Sequence, residues 1–227
     1  METIAERLKS AYNTIKQSAL AAHRPPNTVK LLAVSKTKPV SDIVQAYDAG
    51  QRLFGENYVQ EGVEKIHALQ QHSDIEWHFI GPLQSNKTRL VAENFAWVHS
   101  IDRVKIAQRL NDQRNAFVPL NVCLQVNIDE EQSKSGVTAA EVFALAEQVA
   151  ALPRLRLRGL MTIPSAASSE AELADSFQRM HHLYTQLASQ FPQVDTLSMG
   201  MSDDMALAIR YGSTMVRIGS AIFGARQ

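Results

Sequence analysis

"KLLAVSKTKPVSDIVQAYDAG", residues 30–50, holds two periodicities side by side. "KLLAVS" is a short apolar run of the kind that forms a strand buried on both faces. "SDIVQAYDAG" spaces its apolar residues as a helix does and ends in a glycine, a common helix stop. Strand, turn and helix therefore follow one another, and the same unit recurs along the chain. Further runs are "RLFG" (52–55), "WHFIG" (77–81), "WVHS" (97–100), "NVCLQVNI" (121–128), "RLRGLM" (156–161), "TLSMG" (196–200) and "MVRIG" (215–219). Amphipathic stretches such as "AAEVFALAEQVAAL" (139–152) and "EAELADSFQRMHHLYTQLASQF" (170–191) lie between them. The alternation predicts parallel strands with crossover helices, and eight such units predict an α/β fold, a single (β/α)8 TIM-type barrel. Residues 1–23 are expected to add one N-terminal helix packed on it, within one domain spanning 1–227. An open doubly wound sheet competes, but it calls for a glycine-rich turn after the first strand, and none follows "KLLAVS".

Composition narrows the function. The 23 basic residues balance the 23 acidic ones, so no net field draws nucleic acid or an anionic membrane. The opening "METIAERLKSAYNTIKQSALAAH" lacks the apolar core of a signal peptide, and no segment nears the ~20 apolar residues of a membrane span. A soluble, cytoplasmic protein is expected, in keeping with a lone cysteine, Cys123, that has no internal disulfide partner. His181 and His182 are adjacent on a predicted helix and diverge by roughly 100°, so no metal site is expected there.

In a barrel of this type the carboxyl ends of the strands carry the chemistry. Those ends include Ser35, Lys36, Glu56, Asn57, His78, Met161, Thr162, Gly200 to Ser202 and Arg217 to Ser220. Leu32, Val34 and Lys36 share one face by alternation, and if that face lines the barrel the Lys36 amine emerges inside its mouth. Partial desolvation there disfavours the ammonium form, and a neutral amine attacks carbonyls. A lysine that merely snorkels at a strand end explains the same residues, and this stretch leaves both readings open. Lys38, just before Pro39, is a second and more exposed candidate.

The C-terminal stretch "TLSMGMSDDMALAIRYGSTMVRIGSAIFGAR" (196–226) places glycine-containing turns after the last two strands. Gly200, Ser202, Gly219 and Ser220 are the predicted donors to a phosphate. Ser202 is also read as the N-cap of the helix "DDMALAIRYG", with the Asp203 and Asp204 carboxylates pointing outward. Arg217 shares parity with Met215 and Gly219, so it should point inward onto an acceptor, either a ligand or a barrel carboxylate. "GPLQSNKTR" (81–89) is read as a helix start whose basic first turn suits an anion contact by Lys87 or Arg89. "PSAASSEAE" (164–172) is expected to be a mobile loop.

"LLAVSKTKP", "FGENYVQEG", "WHFIGPLQSNK", "SKSG", "RGLMTIP", "LSMGMSDDM" and "STMVRIGSAIFGAR" occur in order over nearly the whole chain. Together they resemble the pyridoxal phosphate homeostasis proteins, the YggS/PROSC family. The resemblance implies a barrel similar to the N-terminal domain of bacterial alanine racemase, with pyridoxal 5′-phosphate held as an aldimine on Lys36. It further implies Arg217 opposite the pyridine nitrogen and Ser202, Gly219 and Ser220 on the phosphate, with Asn57, His78 and Met161 near the ring or its entrance. Asn57 has an alternative role as cap of the helix after "FGE", and His78 as a satisfied core histidine. Lys134 of "SKSG" is either an influence on cofactor traffic or a solvated loop lysine.

A permanently cationic partner disfavours protonation of the ring nitrogen and makes the ring a poorer electron sink. Racemisation also needs a second acid–base group, which in alanine racemase comes from a tyrosine of another domain and subunit. This chain ends at Gln227, just after the last strand, and no such domain is expected. The expected function is a monomeric, non-enzymatic pyridoxal phosphate binder that helps maintain vitamin B6, with pyridoxal-phosphate-dependent apoenzymes as recipients. The alternatives are a racemase-like enzyme acting on amino acids and a cofactor-free Schiff-base aldolase.

Overall fold

In the computed structural model, which describes residues 1–166 and 168–225, eight strands close a parallel barrel in sequence order. They are β1 (Lys30–Val34), β2 (Leu53–Glu56), β3 (Glu76–Phe79), β4 (Trp97–Ile101), β5 (Leu120–Gln125), β6 (Leu155–Met161), β7 (Thr196–Ser198) and β8 (Met215–Ile218). Each falls on one of the eight apolar runs. β8 closes the ring on β1, with Leu32 opposite Arg217. The outer layer follows the crossover pattern, with α2 (Val40–Asp48), α3 (Val59–Ala68), α4 (Thr88–Asn94), α5 (Val104–Gln113), α6 (Val142–Ala150), α7 (Glu170–Gln190), α8 (Met205–Arg210) and a final turn, α9 (Ser220–Phe223).

Strand alternation divides the apolar residues into two populations. Leu31, Ala33, Phe54, Phe79, Val98, Val122, Leu157 and Ile218 point outward and join the helices in one large core. The inward residues form only two small apolar clusters, Leu32, Val34, Ile80 and Met215 on one side and Trp97, Cys123 and Met161 on the other. The rest of the interior is polar, and that difference builds the site.

The N-terminal helix α1 (Ile4–Ala21) starts with a capping box in which Thr3 and Glu6 satisfy each other's backbone amides at 3.1 and 2.9 Å. Its Ile4, Leu8, Ala11, Ile15 and Ala19 recur at helical spacing and are buried in the outer core, while Arg7 Nε donates to Ile222 O at 2.6 Å. α1 thus lies against the last turn of the chain.

Three local expectations are corrected. α8 begins at Met205, so Ser202 is not its N-cap; Asp204 occupies that position and its Oδ1 accepts the Met201 amide at 2.6 Å. That bond turns Asp204 back into the loop, where burial raises its carboxyl pKa, whereas Asp203 is exposed as expected. α4 begins at Thr88 after a 3₁₀ turn over Ser85–Lys87, because Thr88 Oγ1 and Arg109 Nε both take the Ser85 carbonyl, at 2.9 and 2.8 Å. The loop read as mobile is tied at its start: Ser165 N donates to Asp129 at 2.9 Å and Lys134 Nζ to Pro164 O at 2.8 Å. Ala167, within that loop, lies outside the described residues.

Candidate functional site

A cavity of about 290 Å³ opens where the carboxyl ends of β1, β2, β3, β6, β7 and β8 converge. Lys36, Asn57, Ser202, Arg217, Gly219 and Ser220 line it, so six of the residues picked from sequence meet in one place. Lys38 also borders it, with its Nζ donating to Ala225 O at 2.8 Å. Larger grooves run along the outer helices, but they collect no comparable set of convergent groups.

Lys36 follows Leu32 and Val34 on the inward face of β1 and is half-buried. The turn that carries it is held from outside the barrel wall. Glu56, fully buried on the outer face of β2, contacts Lys65 of α3 at 2.6 Å. Lys65 also meets Glu61 at 2.7 Å and donates to the Ser35 carbonyl at 2.7 Å. Glu61 in turn accepts the Thr37 amide at 2.6 Å. Both chain neighbours of Lys36 are therefore anchored, and Thr37 is kept at a φ of 64°, a strained value for a β-branched residue. Burial pushes the Glu56 carboxyl up to about 7, with Lys65 opposing, and Glu56 Oε2 has no hydrogen-bond partner among the described residues.

Arg217 reaches the cavity from β8. Its Nη1 donates to Ser198 Oγ at 2.8 Å and its Nη2 to Thr162 O at 3.0 Å, which fixes the guanidinium plane at two points. Burial lowers its pKa to about 10, so it remains a cation at neutral pH. No ion pair to Arg217 occurs among the described residues. The carboxylate that acts on Arg217 most strongly is that of Asp204, which favours the cation from beyond ion-pair distance.

Asn57 is not a helix cap: α3 starts after Tyr58, and Asn57 Oδ1 is buried without a hydrogen-bond partner. Its backbone passes so close to Gly81 that a Cβ there would stand 2.2 Å from Asn57 O, so only glycine allows this approach. Gly200, at φ +103°, faces Ala208 with room for no Cβ, and this lets the β7 turn fold tightly toward Ser202. A cavity lined by an amine, a fixed cation, a side-chain amide and two glycine-serine turns suits a small anionic molecule with further polar groups.

His78 and Met161 do not line this cavity. His78 lies deeper in the barrel, fully buried and stacked on Trp97 at 5.0 Å, and Met161 packs with Trp97 and Cys123. Lys134 bridges to the loop after β6, donating to Pro164 O at 2.8 Å with Glu131 3.5 Å away, and Arg89 pairs with Glu93 at 3.7 Å on the surface. Sequence reading missed Ile163, which supplies apolar lining beside Met201, and the supporting residues Lys65, His99 and Ser198. Inward parity with Trp97 was a signal for His99; nothing local distinguishes Lys65 from any helix lysine.

The fold and this cavity define a class of barrels with a lysine at the end of the first strand and glycine-serine turns at the ends of the last two. Residues 6–227 match the family described as alanine racemase, N-terminal domain. A pyridoxal phosphate homeostasis protein of Vibrio alginolyticus is 57% identical over 230 residues, covering 100% of this chain and 99% of that one. Among solved structures, PipY of Synechococcus elongatus with PLP bound superposes with a TM-score of 0.84 at 39% identity, over 98% of this chain and 100% of that chain. An alanine racemase of Corynebacterium glutamicum shares the fold, with a TM-score of 0.69 at 18% identity over 98% of this chain and 61% of the other. The chain belongs to the alanine racemase N-terminal domain family and, within it, to the pyridoxal phosphate homeostasis proteins.

Proposed function

We propose that this chain binds pyridoxal 5′-phosphate in the β-strand-end cavity and holds it in support of vitamin B6 homeostasis, without turning over a substrate. The observation that carries the reading is the convergence of Lys36, Asn57, Ser202, Arg217, Gly219 and Ser220 on one cavity. It is supported by full-length relatives named for that role and by a similar barrel whose structure holds PLP. When bound, pyridoxal phosphate would supply an electrophilic aldehyde, and Lys36 is the amine of the cavity that would hold it.

The chain's own residues then divide the work. Ser202, Gly219 and Ser220 bind the phosphate, Asn57 offers its unpartnered oxygen to a ring substituent, and Arg217 faces the ring nitrogen. A buried guanidinium there opposes protonation of that nitrogen and restrains carbanion chemistry. His78 and Met161 act from beneath the cavity rather than on the cofactor directly. Residues 1–227 act in this reading as one cofactor-binding unit, monomeric and cytoplasmic, that passes the cofactor to apoenzymes. No helix among the described residues is long and apolar enough to cross a membrane.

The test is spectroscopic. Purified protein loaded with pyridoxal phosphate should absorb in the visible, and borohydride should fix the cofactor mass on the peptide containing Lys36. Lys36→Ala should lose the visible band yet retain weaker, phosphate-anchored binding. A wild-type protein that carries no cofactor mass after reduction refutes the reading, and amino-acid turnover by the loaded protein refutes the carrier assignment.

A further inference from the structure

A line of five polar side chains crosses the barrel from its amino-terminal mouth to the cavity. Glu76 Oε1 stands 2.8 Å from His78 Nε2, and His78 Nδ1 stands 2.8 Å from His99 Nε2. His99 Nδ1 lies 2.9 Å from Ser198 Oγ, the same oxygen that accepts from Arg217 Nη1 at 2.8 Å. The four inner members are at most 4% exposed, whereas the Glu76 side chain is 40% exposed.

The two ends of this line set its direction. A carboxylate only accepts, so His78 Nε2 carries a hydrogen. A neutral imidazole has one N–H, so His78 Nδ1 accepts and His99 Nε2 donates. His99 Nδ1 then accepts and takes the Ser198 hydroxyl hydrogen, leaving a Ser198 lone pair for Arg217, which only donates. Burial lowers the pKa of both rings, His99 well below the usual imidazole value, so both are neutral at pH 7. With both rings neutral, this is the one assignment that satisfies every link.

We propose that Glu76, at the mouth opposite the cavity, is a positioning residue for Arg217. The relay obliges Ser198 to present a lone pair, never a hydrogen, to the guanidinium. Together with the bond to Thr162 O, this holds the plane of Arg217 and directs its remaining donors at the cavity. The hydrogen bond from His78 favours the ionised form of Glu76, and Lys30 and Arg158 add to it, which keeps the accepting end in place. His78 and His99 are thus conductors of orientation rather than ligands. The relay stands by itself; its consequence for the cofactor rests on the pyridoxal phosphate reading.

Two measurements on the full-length protein separate these levels. In cofactor-free ¹⁵N-labelled protein, long-range proton–nitrogen NMR should show Nε2 protonated and Nδ1 bare in both His78 and His99. Protonated Nδ1 at His99 overturns the proposal, whether or not pyridoxal phosphate binds. Glu76→Gln preserves shape, but its amide both donates and accepts, so both rings should become mixtures of tautomers. In that variant pyridoxal phosphate should bind about two- to tenfold more weakly, and the pH midpoint of its visible band should move. If the tautomers mix but affinity and band are unchanged, the line is polar core filling and the positioning role is wrong. A wild type with the stated tautomers that takes up no pyridoxal phosphate defeats the cofactor reading and, with it, the role assigned to Glu76.

Discussion

Inside the barrel, polar side chains meet as neutral partners around His78, His99 and Ser198; outside the wall, under α3, Glu56, Lys65 and Glu61 meet as charges. Both networks end on a residue of the same cavity, the inner one on Arg217 and the outer one on the turn that carries Lys36. The inner network works by direction, because each imidazole can donate on one side only. The outer one works by charge, because a single ammonium bridges two carboxylates and a carbonyl. The difference teaches that the two arms of a binding site can be held by unlike physics, and that they should answer differently to mutation and to pH.

The largest expected effect breaks the outer network. Lys65→Met leaves the Glu56 carboxyl buried without its counter-ion and should destabilise the fold by about 3–5 kcal/mol at pH 8, measured by urea denaturation. The loss should shrink at pH 5, where the raised pKa of Glu56 lets it take up a proton. An equal loss at both pH values would mean that packing of the Lys65 stem, and not charge, is what counts there. Next comes the inner network: Ser198→Ala strips an acceptor from Arg217 and a donor from His99, at a cost of about 1–3 kcal/mol that should be nearly the same from pH 7 to pH 9.

The pH profiles sharpen the contrast through their signs. His78 and His99 have folded pKa values below the unfolded one, so the unfolded chain binds more protons on acidification. Stability from these rings is present above about pH 6.5 and is lost as the pH falls below it, by up to about 1.4 kcal/mol per pH unit for each ring. Glu56 has a raised folded pKa of about 7 and gives the opposite slope: its contribution is full below the unfolded value of 4.5 and is lost as the pH rises through 7. Glu56→Gln should remove that slope and leave the histidine limb intact; denaturation series from pH 4.5 to 8 read both. A variant that loses the acid limb instead would reverse the assignment. The smallest effect is expected for Thr37→Gly, where relief of the positive φ is offset by a more flexible unfolded chain, leaving a change within about 0.5 kcal/mol.

Much of this was legible before any coordinates. All eight strands fall on apolar runs, because a strand covered on both faces must be apolar nearly throughout, and such runs stand out from helices with one polar side. Alternation put Lys36 on one face with Leu32 and Val34 and Arg217 with Met215, the structure shows that these faces line the barrel, and the long motif-by-motif resemblance pointed to the family. The errors were local. Ser202 looked like a helix cap because it precedes two aspartates and an apolar run, yet a turn closed by Asp204 on the Met201 amide delays α8. The family resemblance put His78 near the ring or its entrance, with a satisfied core histidine as the alternative; it lies two residues before Ile80 on the inward face, deeper in the barrel, in keeping with the alternative.

Sequence by itself determined the repeating unit, the hand that alternation deals to each strand residue and the chemical kinds of group available at the strand ends. Those are properties of neighbouring residues, and short-range periodicity carries them. Only the tertiary structure decided that Glu76, His78, His99, Ser198 and Arg217 join across four strands, and that Lys65 reaches back to the carbonyl beside Lys36. Closure of the barrel brings residues as far as 99 positions apart within hydrogen-bonding distance, and in a dry interior each polar atom must then find its partner among whichever groups closure has placed there.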